Sequence, residues 1–371
     1  MYKHDNRIVV TLDAGGTNFV FGAIRSNDFI VEPYSTPANS HDLDACLQSM
    51  VDGFEHIISQ LPAAPVAISF AFPGPADYPN GIIGGYLPNF PSFRDGVALG
   101  PFLSERFNLP VYINNDGDLF AYGEAIGGTL PEVNRKLAAA GSPKRFKNLI
   151  GYTFGTGFGV GIVTAGKLHI GDNSCVETFC LQHKDMPNIL VEEGVAVRAV
   201  KRVYTELSGD KRPLEPKDIF DIAEGKLDGV AEAAKGSFAK MGEIAGNAIA
   251  SAATLIDGII VIGGGITAAK KYIMPALLKE LRSKMLTLGG EEVNKVQMEV
   301  FDLDNPEEVE KFIEGNSQKL KVWGSDKTVM YDPMKRIGIS ISEIGASKAI
   351  SIGAYAFALN DIDINTEDHE Q

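Results

Sequence analysis

Three short turns in this sequence combine glycine with groups able to bind an anion. The first, "DAGGT", sets Asp13, Gly15, Gly16 and Thr17 between two apolar runs. The second, "FGTGFG", holds Gly155, Thr156 and Gly157, and the third, "IGGGI", holds Gly263, Gly264 and Gly265. Glycine after a strand is ordinary turn chemistry, but it also lets several backbone N–H groups approach one phosphate. Three such turns favour phosphate. Asp13 then needs a reason, because a carboxylate beside phosphate is repulsive. A Mg2+ ion held by Asp13 through water removes the conflict, since this ion keeps part of its hydration shell. The Thr17 hydroxyl can reach a phosphate oxygen. None of the turns has the GxxxxGK[ST] pattern, and no GxGxxG opens a helix after the first strand. A P-loop NTPase and a Rossmann oxidoreductase therefore lose support. The pattern suits a nucleotide gripped between hairpin turns from two domains.

A second group of candidates lies in "INNDGD", where a strand ends at Asn114 and a helix begins near Asp116. Polar residues at the carboxyl end of a strand in an open α/β sheet stand where such sheets bind ligands. Two carboxylates, Asp116 and Asp118, start the helix, and "NND" is equally a helix cap. Cys46, Cys175 and Cys180 form an odd set without CxxC spacing, which fits reduced thiols. His183 with Cys175 and Cys180 has unusual spacing for a metal site. Core thiols and a surface imidazole are expected instead, with no structural zinc.

The elements that must position these residues follow from periodicity. Apolar runs at Ile8–Leu12 and Phe19–Ile24 predict a hairpin around the first turn, and helical spacing begins at Asp42. The buried-strand pattern "PVAISFAF" runs into "PGPADYPNGIIGGYLPNFP", a Pro, Gly and Asn-rich loop of the kind that carries binding groups. The pair of runs around "FGTGFG" repeats the opening architecture, so an internally duplicated α/β fold is expected. Residues 191–255 read as mostly helical, and "IIVIGGGITAAKKY" as strand, turn and helix. Residues 287–336 are charged and weakly periodic, an uncertain insertion. A helix over about 346–360 is followed by a frayed acidic tail, "DIDINTEDHEQ".

A chain of 371 residues exceeds a single usual core, so two domains are expected. The formal net charge of −14 argues against nucleic acid and anionic membrane as partners. The amino terminus lacks a signal-like apolar region, and no apolar run is long enough to span a membrane, so a cytoplasmic location is expected.

The pieces "LDAGGTNFVFGAI", "AFPGPAD", "PNFP", "INNDGDLFAYGEA", "GTGFGVGIVTAGKLHIG" and "VIGGGI" occur here in an order that resembles the ROK family of sugar kinases and related repressors. That resemblance implies two actin/hexokinase-like (ribonuclease H-like) α/β domains with a cleft between them. They are expected at 1–121, with the helix at about 346–360 packing back, and at 122–345. It implies transfer of the γ-phosphoryl group of ATP, with Mg2+, to a hexose or N-acetylhexosamine hydroxyl, most often the 6-OH. Asp116 matches the family's catalytic base, and Asp118 matches no functional position. A carboxylate at a helix start is expected to be held as the anion. Asn89 and Asn115 match residues that bind sugar hydroxyls. Glu177 resembles the glutamate of the family's E-x-G-H motif, and Glu192, with Glu193 as the alternative register, the later sugar-binding glutamate. Cys180 stands where the motif has histidine, and the family's zinc segment is replaced by "LQHKDMPNIL". A homodimer is expected. The alternatives are a sugar-binding regulator, for which no helix-turn-helix precedes the first strand, and a catalytically weak relative.

Overall fold

A computed structural model describes residues 2–369, and the chain divides into two compact units. The first comprises residues 1–128, 167–176 and 346–371, the second residues 129–166 and 177–345.

The first unit is built on a mixed sheet. Strands Val9–Ala14 and Asn18–Arg25 form the antiparallel hairpin around the first glycine turn. Val9–Ala14 then pairs in parallel with Ala67–Ala71, which pairs in parallel with Val111–Asn114. Every residue of Ala67–Ala71 is buried, as expected of a central strand covered on both faces. One face is covered by helix Leu43–Ser59, which the Asp42 side chain caps by accepting from the Ala45 N–H at 3.1 Å. That helix buries Cys46, Met50, Phe54 and Ile57. On the other face, Tyr355, Ala358 and Leu359 of the C-terminal helix Ala346–His369 pack on Val9, Ile24 and Ala67.

The C-terminal helix also crosses helix Asp116–Ile126 at backbone contact. A Cβ on Gly123 would stand 1.9 Å from the Ala349 carbonyl oxygen, and one on Gly353 would stand 2.0 Å from that of Leu119. The acidic tail differs from the sequence expectation, being helical through His369 rather than frayed from about residue 361. Its last two residues, Glu370 and Gln371, lie outside the described residues. The physical reason is anchoring from the amino terminus: Asp363 accepts from Arg7 at 2.5 Å and from Tyr2 at 3.1 Å.

The second unit repeats the plan. Strands Leu149–Phe154 and Phe158–Thr164 form an antiparallel hairpin, and Ile259–Gly263, Arg336–Ile341 and Glu299–Asp302 follow in parallel. The long helix Ala231–Ile256 lies close against helix Lys270–Leu281, where a Cβ on Gly242 would meet the Ile273 carbonyl oxygen at 2.2 Å. Residues 287–336 are not one insertion. Glu299–Asp302 is a strand of the main sheet, and helix Pro306–Glu314 buries Phe312 between the rings of Phe146 and Phe301. The charged, short-period pattern hid this because an edge strand and an amphipathic helix each bury only one face. What protrudes is a pair of hairpins, Lys284–Leu286 with Glu292–Asn294 and Gln318–Lys321 with Thr328–Tyr331. Among the described residues, no helix is long and apolar enough to cross a membrane.

Candidate active site

In the first unit the parallel register brings the candidates to one end of the sheet. Asp13 pairs with Ala71, and Ala71 with Asn114, so the three stand in a row across adjacent strands. With neighbouring strands about 4.8 Å apart, Asp13 lies about 10 Å from the end of the strand that delivers Asn115 and Asp116. Asn115 caps helix Asp116–Ile126, its Oδ1 accepting from the Gly117 N–H at 2.8 Å. The cap occupies the amide oxygen and leaves the two amino hydrogens to offer. Asp116 Oδ1 accepts from the same N–H, also at 2.8 Å.

The surroundings of Asp116 correct an expectation. Its carboxyl is pushed above the ordinary value of 3.8, chiefly by desolvation, with the negative charge of Asp13 adding to the rise. The hydrogen bonds from the backbone N–H groups at the helix start oppose the shift but do not overcome it. A helix terminus returns a fraction of a charge, and the loss of water around the carboxylate costs more.

Asn89 is exposed, and the neighbouring Phe90 fixes it. The Phe90 ring stacks on Phe19, near the start of the return strand of the glycine hairpin, at 6.1 Å, and lies 4.6 Å from the Phe72 ring. A Cβ on Gly16 would stand 2.8 Å from the Asn89 Cβ. Gly16 therefore admits Asn89, a task beside the approach to phosphate that its turn suggested. Gly15 is held by the tightness of the turn, its absent Cβ lying 2.8 Å from the Asn18 carbonyl oxygen. Thr17 is exposed, and its carbonyl accepts from the Ala38 N–H at 2.9 Å.

In the second unit the other two glycine turns adjoin. Strand Ile259–Gly263 pairs with Leu149–Phe154, setting Gly263 opposite Thr153. Gly264, at φ +97°, lies so near Phe154 that a Cβ would fall 2.3 Å from the Phe154 carbonyl oxygen. Gly155 and Gly265 open onto free space. Gly265 also lines a cavity of about 440 Å3 with Phe220, Phe238, Ile266 and Ala269. A mostly apolar cavity beside a glycine turn that bares backbone N–H groups can take a flat aromatic ring joined to phosphate. The sequence reading registered these helices only as helical and missed the cavity. Its signal, Phe220 and Phe238 on separate helices, acquires meaning only when the helices meet.

Glu192 sits against the Gly155–Gly157 turn. Its Oε2 accepts from the Phe158 N–H at 2.9 Å, and a Cβ on Gly157 would stand 2.9 Å from that oxygen. Its Oε1 accepts from Arg198 at 2.7 Å. Glu193, the alternative register, turns to Arg198 instead, at 2.8 Å, and this guanidinium holds its carboxyl below the usual range. Arg198 also reaches the Thr156 carbonyl at 3.3 Å. It is a site residue that sequence reading missed, and its one signal is a cation a helical turn and a half beyond two glutamates. Glu177 is half-buried at the start of the loop that ends at Glu192.

The thiols and the imidazole correct another expectation. Cys46 is buried, and burial pushes its thiol up to about 12, but Cys175 and Cys180 are exposed and His183 is the buried one. Desolvation lowers the His183 pKa below 6.5. Among the described residues, no group of three or more His, Cys, Asp or Glu is placed to hold a metal ion. Asp13 suits a cation differently. It offers one exposed carboxylate near a second, the donor set for an ion that keeps most of its water.

A family model described as the ROK family matches residues 9–302. The chain is similar to the crystal structure of a glucokinase from Parabacteroides distasonis, with 56% identity and a TM-score of 0.90 over 97% of this chain and 99% of that one. A glucokinase of Halalkalibacterium halodurans is 26% identical over 329 residues, 77% of this chain and 92% of that protein. The xylose repressor of Bacillus spizizenii is 30% identical over 125 residues, 33% of this chain, and the chain spans only 28% of that repressor's length. A ROK family glucokinase from Streptomyces griseus, solved with glucose and AMPPNP, shares the fold at 17% identity, with a TM-score of 0.60 over 94% of this chain and 98% of that one.

Proposed function

The chain belongs to the ROK family, and on that premise we propose that it is a sugar kinase, moving the γ-phosphoryl group of ATP to a hexose or N-acetylhexosamine hydroxyl, the 6-OH in the glucokinase manner. The observation that carries the reading is Asp116 two residues beyond Asn114, which stands in a row with Asp13, at the sheet end that also bears Asn115 and the Gly16–Asn89 contact. Asp116 is the base. Its raised pKa, set chiefly by desolvation, makes its carboxylate a stronger proton acceptor than an ordinary one. As the sugar oxygen bonds to phosphorus its proton passes to the Asp116 carboxylate, and the bond from phosphorus to the bridging oxygen breaks to release ADP.

Asn89 and the free amino group of Asn115 hold sugar hydroxyls, and Glu177 and Glu192 accept from others. The cavity beside Gly265 takes the adenine ring, with Gly155, Thr156, Gly157, Gly263 and Gly264 along the phosphates and Gly15, Gly16 and Thr17 in the first turn. Asp13 would hold Mg2+ through water, and that ion supplies charge neutralisation of the phosphates. A homodimer in the cytoplasm completes the proposal.

Coupled ADP release measured across a panel of hexoses and N-acetylhexosamines tests it. Turnover with one or more sugars is expected. Cys180 in the place of the family's histidine, together with the similarity to the xylose repressor, favours one rival, a sugar-binding regulator or catalytically weak relative. A flat panel with sugar binding retained would establish that rival and overturn the kinase.

A further inference from the structure

Between Glu177 and Glu192 the second unit forms a closed loop whose two arms return on each other. The Val191 N–H donates to the Leu181 carbonyl at 2.7 Å, and the His183 N–H to that of Ile189 at 2.9 Å. Both proposed sugar glutamates stand at the neck of this loop, so whatever fixes its tip fixes them. Three consecutive residues fix the tip.

His183 is buried, with Nδ1 accepting from the Asp185 N–H at 3.1 Å. Its Nε2 fills the space beside Gly194, 2.6 Å from where a Cβ there would stand. Lys184 donates to Glu243 at 2.5 Å and to Glu280 at 2.8 Å. Asp185 pairs with Lys240 at 2.7 Å. Glu243 and Lys240 belong to helix Ala231–Ile256, and Glu280 to helix Lys270–Leu281, so the tip is tied to both. Glu280 is buried, and it also pairs with Lys295, which donates to Asn247 at 2.7 Å.

Such a network gains little net stability over well-packed apolar side chains, because desolvation offsets the attraction. What it supplies is direction: Lys184 satisfies two carboxylates on two helices at once only with the loop in this position. The segment "LQHKDMPNIL", to which spacing alone assigned no task, thereby acquires one.

We propose that Lys184 is a positioning residue for sugar recognition. It pins the loop tip and so sets Glu177 and Glu192. The proposal rests on the reading of Glu192 as a sugar contact.

The test compares Lys184→Met, Lys184→Arg and Glu192→Gln in the full chain, with the KM for sugar and for ATP measured separately. Lys184→Met should raise the sugar KM about tenfold, the scale of a misplaced contact, and leave the ATP KM within about twofold. Lys184→Arg should restore most of the loss. A sugar KM that stays put in Lys184→Met, or an equal rise for both substrates, overturns the proposal. If Glu192→Gln leaves the sugar KM unchanged, the reading of Glu192 fails and the proposal with it. If Glu192→Gln raises that KM while Lys184→Met does not, the positioning role alone fails. Should Lys184→Met not fold, Glu243→Gln, which weakens the same tie while Lys184 keeps Glu280, carries the same expectation and the same refutation.

Discussion

Replacing Asp116 by Asn changes one property of the site and leaves its geometry intact. The Asn115 side chain already caps the helix, and the amide oxygen introduced at position 116 could still accept from the Gly117 N–H as Asp116 does at 2.8 Å. The charge and the capacity to take a proton are what disappear. Loss of a positioned base costs about 10²-fold or more in rate, which corresponds to about 2.7 kcal/mol or more in activation free energy. Sugar affinity, measured by calorimetry apart from turnover, should change little. Stability should move the other way. The folded-state pKa of Asp116 lies above its ordinary 3.8, so its contribution to stability is fully present below 3.8 and is lost as pH rises through the folded value. At neutral pH the wild-type protein carries that deficit and the Asn variant does not. Asp116→Asn should therefore raise Tm at pH 7, and the gain should shrink as pH falls toward 3.8. The acid limb of kcat/KM in the wild type should likewise sit above the ordinary carboxylate range. Asp118→Asn, measured beside it, is the control. Near-normal kcat for Asp116→Asn with a collapse for Asp118→Asn would refute the assignment, and a lowered Tm for Asp116→Asn at pH 7 would refute the account of its environment.

Gly353→Ala should push the C-terminal helix off helix Asp116–Ile126, since its Cβ would lie 2.0 Å from the Leu119 carbonyl oxygen. The overpacking should cost about 1–3 kcal/mol in a denaturant titration and lower kcat by displacing Asp116, and unchanged stability would count against the crossing. Gly155→Ala, by contrast, meets nothing within 4 Å, so it should keep wild-type Tm yet weaken ATP binding if phosphate occupies that space. Gly16→Ala would strike Asn89, so calorimetry should show its loss in sugar affinity. Equal effects of both variants on both ligands would contradict the division of tasks.

Local chemistry along the chain was enough to specify the separate pieces. Alternating apolar runs around "DAGGT" and "FGTGFG" specified two hairpins, and Asn115 before Asp116 specified a helix start, because turn chemistry and capping act between residues a few positions apart. The order of the motifs specified the family. What those pieces meet was set by packing. Parallel register set Asp13 in a row with Asn114, and burial, with the Asp13 charge adding to it, raised the Asp116 pKa where a helix start by itself would have lowered it. Gly16 proved to be shaped by Asn89, and Arg198 joined Glu192 to a turn more than thirty residues earlier. His183 moved to the interior while two cysteines stayed at the surface. Burial, desolvation and close backbone approach depend on residues distant in the chain, and no periodicity or spacing within a segment records which distant residue will arrive.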